Sequence, residues 1–105
     1  MKIANRDARR YVQFRREFTG NNIHASTAWY SGDQYMVYSY SHWPMFIYVN
    51  GLWYENSDKR SPTTSKHHTQ CHPLGDTVKL PVDQMKVLAT HGYDELVRQR
   101  MGVAA

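Results

Sequence analysis

A chain of 105 residues, 41% hydrophobic and 21% charged, has enough apolar material for one core and too little length for two. Aromatic side chains reach 13%, with eight Tyr, three Trp and three Phe, which excludes an aromatic-poor disordered chain. Thirteen Lys and Arg against nine Asp and Glu leave a net charge of +4, which favours an anionic partner. No apolar run approaches the roughly 18 residues of a membrane span. The opening Met1-Lys2-Ile3-Ala4-Asn5-Arg6-Asp7 lacks the apolar centre of a secretory leader, and the lone Cys71 cannot close an internal disulfide. A cytoplasmic protein with no membrane partner is the expectation.

Residues 5–17 have helical spacing, with Asn5 as N-cap and Asp7 at the positive end of the helix dipole. Ala4, Ala8, Tyr11, Val12 and Phe18 gather on one side. Arg6, Arg9, Arg10, Gln13 and Arg16 gather on the other, while Arg15 falls inside the apolar stripe and has to snorkel. Thr19-Gly20-Asn21-Asn22 ends the helix, with Gly20 or an Asn in a left-handed cap. From residue 23 the chemistry is that of strands: 23–30, then Ser31-Gly32-Asp33 as a turn, 34–41, a break at His42-Trp43-Pro44, 45–49, the hairpin signal Asn50-Gly51, and 52–55. These make a four-stranded antiparallel meander. In its second strand Tyr35, Val37 and Ser39 share one face, and Met36, Tyr38 and Tyr40 the other. Both faces are apolar or amphipathic, so the helices cover one of them. The other binds something or is half-covered by the segment that follows.

Residues 56–76 are polar, and a structureless stretch of that length is uncommon in a compact domain. A short helix over 64–71, capped by Thr63 or Thr64 and stopped by His72-Pro73, resolves this. Residues 74–80 are extended or an edge strand. Pro81 opens a helix over 81–90 with Met85, Leu88 and Ala89 inward, Gly92 closes it, and Asp94 caps a last helix over 95–101. The fold class is therefore α+β: a four-stranded antiparallel sheet with an N-terminal helix and a C-terminal helical pair, in a single domain.

Three features bear on function. The first is the basic helix face: Arg6, Arg9, Arg10 and Arg16, with Lys2 just before it. Guanidinium forks pair with phosphate, and neighbouring rings stack on bases. The plain alternative is a solvated face balanced by Asp7 and Glu17. The second is the cluster Trp29, Tyr30, Tyr35, Tyr38, Tyr40, Trp43, Tyr48, Trp53 and Tyr54. So many rings cannot all fit deep inside one small core, and those left at the surface suit an interface, including a homodimer through the sheet. The third is Lys66-His67-His68 with Cys71 and His72. At helical spacing His68 pairs with His72 and His67 with Cys71, the beginning of a zinc site whose further ligands would be distant His24, His42 or His91. The same cluster could supply general acid–base chemistry for a metal-independent RNase, or Cys71 a nucleophile. No local signature names a reaction, a cofactor or a metal. Gln84, Leu88 and Gly92 have helix-turn-helix spacing, but Arg98 falls where a buried aliphatic is needed, so this pair packs on the sheet.

The run Tyr38-Ser39-Tyr40-Ser41-His42-Trp43-Pro44, then Trp53-Tyr54, then Ser61-Pro62-Thr63-Thr64-Ser65-Lys66-His67, resembles a group of small uncharacterised proteins of phages and mobile elements over roughly residues 5–73. The resemblance implies a genomic context in which small single-domain proteins bind and block host machinery, and it carries over no functional residue. The expectation is a stoichiometric binder, an anti-defence (anti-CRISPR-like) or host-takeover accessory in the host cytoplasm. It engages nucleic acid or a nucleic-acid-handling protein complex through Arg6, Arg9, Arg10 and Arg16, with Tyr40, Trp43, Lys66 and His67 in contact. The alternatives are the RNase built on His67, His68 and Lys66, and a purely structural homo-oligomer.

Overall fold

The computed structural model describes residues 2–28 and 31–100. Trp29 and Tyr30, members of the expected aromatic cluster, and the end of the last helix at Met101 lie outside them. A 3-10 turn at Asn5–Asp7 leads into α1 (Ala8–Gln13). Five strands follow, β1 (Phe18–Thr19), β2 (Ile23–Ala28), β3 (Ser31–Ser39), β4 (Trp43–Val49) and β5 (Leu52–Asn56). Then come α2 (Pro62–Cys71), β6 (Val78–Leu80), α3 (Val82–His91) and α4 (Tyr93–Arg100). The class is α+β, and the sheet is larger than the expected four-stranded antiparallel one. It has six strands in the order β1 to β6, antiparallel from β1 to β5, with β6 parallel to β5. Of the two additions, the three-residue β6 falls within the segment 74–80 expected to be extended or an edge strand, while the two-residue β1 is too brief to leave a periodicity in the sequence. The parallel pairing follows from α2, which carries the chain back across the sheet between β5 and β6.

Helices cover both faces of the sheet, where the sequence led us to expect all of them on one. On one face Ile23, Ala25, Tyr35, Val37, Met45 and Phe46 pack against Ala8 and Val12 of α1 and Cys71 of α2. On the other, Ala28, Met36, Ile47, Val49, Tyr54 and Leu80 pack against Met85, Leu88 and Ala89 of α3 and Leu96 of α4. This explains why the central strands alternate so weakly between apolar and polar: neither face is wet. The polar segment after β5 does cross a sheet face, as expected, and it does so as α2.

Several boundaries differ for local reasons. The first helix stops at Gln13, because Arg15 takes a left-handed conformation (φ 53) and closes a Schellman cap. Arg16 N–H bonds to Tyr11 O at 2.9 Å and Arg15 N–H to Val12 O at 3.0 Å. Phe18 is thereby released to pair with Ala25 in the sheet. Asn5 does not cap the helix. Its amide exchanges two hydrogen bonds with the Asn21 backbone (3.0 and 2.8 Å) and ties the N-terminus to the β1–β2 turn. Ser31 and Pro44, expected in breaks, lie within strands. Pro44 fits beside a bulge: Val37 pairs with Phe46 but Tyr38 with Pro44, so Met45 is the extra residue. The hairpin at Asn50-Gly51 is as expected, with φ values of 54 and 76. Ser61, rather than Thr63 or Thr64, caps α2 by accepting Thr64 N–H at 3.1 Å, with Pro62 in the first turn.

Gly20 sits where backbone and side chains meet. A Cβ there would lie 2.6 Å from both Ile23 Cγ1 and Asn5 Oδ1. Gly20→Ala should cost about 1–3 kcal/mol by overpacking. Urea denaturation checks it, and an unchanged midpoint would show that the turn relaxes freely.

Candidate functional site

Helix α2 places chemistry on three sides. Its inward residues Thr64, His67 and Cys71 are buried, while Thr63, Lys66 and Thr69 are exposed. The adjacent histidines His67 and His68 therefore turn to different partners. His67 is 4% exposed, with Nδ1 2.8 Å from Ser39 Oγ at the end of β3. Ser39 Oγ also approaches Thr64 Oγ1 at 3.4 Å, and Thr64 meets the cap residue Ser61 at 3.2 Å, so a line of hydroxyls backs the ring. Burial, reinforced by nearby Lys66, pushes the His67 pKa down and keeps the ring neutral. Tyr40 does not continue the alternation of β3. Its left-handed backbone (φ 58) brings its ring to 5.7 Å from His67. It remains 37% exposed.

His68 turns the other way, toward Glu55 of β5. Its Nε2 donates to Glu55 Oε2 at 2.8 Å. Glu55 Oε1 accepts from Thr77 Oγ1 and from Lys79 Nζ at 3.3 Å, and His72 Nε2 stands 3.2 Å away. His72 Nδ1 faces the Pro73 carbonyl at 2.7 Å, so both of its ring nitrogens look at acceptors. Phe46 packs against the two imidazoles, with ring centroids at 4.5 and 5.1 Å. Burial alone would raise the Glu55 pKa, but donation from Thr77 and His68, the charge of His72 and donation from Lys79 outweigh it and hold the carboxyl at about 2. Sequence reasoning missed this centre, since a single Glu at the end of a strand reads as an exposed charge.

The expected binding residues divide. Arg9 is engaged at the surface: its guanidinium donates to Thr69 O and His72 O, both at 2.8 Å, and caps the C-terminal end of α2. His67 is enclosed. Arg6, Arg10, Arg16 and Lys66 are exposed, and none forms an ion pair among the described residues. Arg10 and Arg16 join Tyr11 and Phe14 around a shallow hollow of about 210 Å³, in which Phe14 is 70% exposed. Arg15 lies beside them with its guanidinium 4.5 Å from the Tyr48 ring centroid, instead of snorkelling from a helix. Of the aromatic cluster, Tyr35 and Tyr54 are buried, while Tyr38, Trp43, Tyr48 and Trp53 are half-buried.

The other chemistries are not assembled. His67 and His68 line different clefts, so they do not converge on one substrate. Cys71 is fully buried, and burial pushes its thiol up to about 12 against the pull of Arg9, which disfavours the nucleophilic thiolate. No group of three or more His, Cys, Asp or Glu among the described residues could hold a metal ion. The oxygens of Glu55 are already taken up by hydrogen-bond donors. No helix among them is long and apolar enough to cross a membrane. The chain matches no family model, no curated protein and no solved structure.

Glu55 titrates in the folded state below its usual 4.5, at about 2. Its contribution to stability is therefore complete above the usual value and is lost as pH falls toward 2, a loss of about 3 kcal/mol. Denaturant titrations from mildly acidic pH downward should show this loss in the native chain and not in Glu55→Gln. Parallel acid profiles for the two proteins would remove Glu55 from that role.

Proposed function

We propose that this protein acts by stoichiometric binding and that its partner is nucleic acid, engaged by the outer surface of α1, the turn after it and α2. The observation that carries this reading is the set of exposed cations without ion-pair partners among the described residues, Arg6, Arg10, Arg16 and Lys66, of which Arg10 and Arg16 flank the exposed ring of Phe14. Among the described residues, Lys79 and Arg98 are in contrast the lysine and arginine in ion pairs. A cation that has no carboxylate at home keeps its full attraction for an external anion, and guanidinium groups suit phosphate oxygens. Exposed rings add stacking on unpaired bases.

A host protein that handles nucleic acid lines its own groove with positive charge. A basic surface such as this one fits the nucleic acid in that groove better than the groove itself. Together with the resemblance to small phage and mobile-element proteins, this supports an anti-defence or host-takeover accessory, anti-CRISPR-like in its mode, that acts on nucleic-acid-bearing complexes by occupying the strand.

The test is fluorescence anisotropy with labelled single-stranded and duplex oligonucleotides across a salt series. Four phosphate contacts predict a log–log slope of about −3 to −4. Replacing Arg6, Arg10, Arg16 and Lys66 together by Ala should abolish most of the affinity and flatten the slope. Phe14→Ser should weaken the single strand more than the duplex. Binding that is absent at low salt, or indifferent to salt, removes nucleic acid as the partner.

A further inference from the structure

A cleft of about 320 Å³ opens between α2 and the β5–β6 edge, with Trp43, Glu55, Asp58, Lys59, His68 and Lys79 in its wall. Its volume is that of a small-ligand site. The hydrogen-bonding capacity still open in this wall is unevenly distributed. The acidic side chains are engaged: Glu55 accepts from Thr77, His68 and Lys79, and Asp58 Oδ2 accepts Val82 N–H at 2.8 Å at the start of α3. Lys59 is exposed and has no hydrogen bond or ion pair among the described residues. Lys79 is 64% exposed along its side chain and touches Glu55 only at 3.3 Å. His68 is fixed through Nε2 by Glu55, which leaves Nδ1 with no hydrogen-bond partner among the described residues. Trp43 is half-buried and adds a ring to the same wall.

A cleft in which Lys59 has no partner among the described residues, Lys79 is exposed beyond its long contact with Glu55, and a half-buried indole stands in the wall is suited to a ligand with an anionic group attached to a flat ring system. We infer that this cleft binds a single phosphorylated nucleotide, free or at the end of a strand. The phosphate lies between Lys59 and Lys79, and the base lies against Trp43. The inference rests on the nucleic-acid reading above for its ligand class, but it uses different residues.

The experiment titrates the full chain with adenosine 5′-monophosphate, adenosine and inorganic phosphate, following tryptophan fluorescence and amide chemical shifts. Trp43→Phe serves as the control for the fluorescence signal. The nucleotide should perturb the indole of Trp43 and the amides around Lys59, His68 and Lys79, and should bind about tenfold tighter than either fragment. Lys59→Ala, an exposed change that leaves the fold intact, should weaken it about fivefold or more. No response to millimolar nucleotide overturns the inference, as does phosphate binding as tightly as the nucleotide. An oligonucleotide that binds through Arg6 and Arg10 while the nucleotide leaves the cleft unperturbed also overturns it, and spares the strand-binding reading. Nucleotide binding that depends on Lys59 when oligonucleotides fail to bind supports the cleft and removes the other reading.

Discussion

The carboxylate of Glu55 is the point through which the second half of the molecule is organised. It belongs to β5, yet its partners come from α2 (His68) and the residue that ends it (His72), from β6 (Lys79) and from the connection between them (Thr77). A buried charge of this kind is unfavourable unless every oxygen finds donors. The requirement works in reverse as well: wherever Glu55 sits, these groups must come. The parallel edge strand β6 is only three residues long and would have little hold on β5 by its ladder alone. Its place beside β5 is secured because Lys79 and Thr77 are claimed by the same carboxylate that claims α2.

A second consequence concerns α1. The C-terminal end of α2 leaves carbonyls without helical partners. Arg9 fills two of them, and Gln13 accepts Leu74 N–H at 2.8 Å just beyond. The two helices are joined side by side through polar bonds at their rims and through Ala8, Val12 and Cys71 beneath. The basic surface is a by-product of this division of labour. One arginine of the helix, Arg9, is tied to the backbone of α2, while Arg6, Arg10 and, beyond the helix end, Arg16 form no ion pair among the described residues. What reaches a partner is decided by which cations the fold has already used.

The left-handed residues have a related role. Arg15 and Tyr40 each take a conformation that costs a side-chain-bearing residue about 1 kcal/mol. Each redirects a large side chain. Arg15 is sent over Tyr48, and Tyr40 toward His67. Both lie on the α1–α2 side of the sheet, at the borders of the surface to which binding is assigned.

The meander from residue 23 to residue 55, the Asn50-Gly51 hairpin, the stop of α2 at His72-Pro73 and the inward set Met85, Leu88 and Ala89 were legible in the sequence, because each rests on local chemistry: β-branched and aromatic runs, positive-φ tolerance, a residue without a donor, a helical period. The positive charge of the first helix was legible for the same reason. The end of that helix was not, since a left-handed arginine carries none of the signal a glycine would. The edge strand β1, the parallel pairing of β6, the placement of helices on opposite faces, the separation of His67 from His68 and the engagement of Arg9 were decided only by tertiary contacts. Each depends on a partner dozens of positions away in the chain, or on a sheet whose faces exist only once the strands are paired. Composition and period set which elements form and what sign the surface bears; burial and pairing in three dimensions determine which charges remain available.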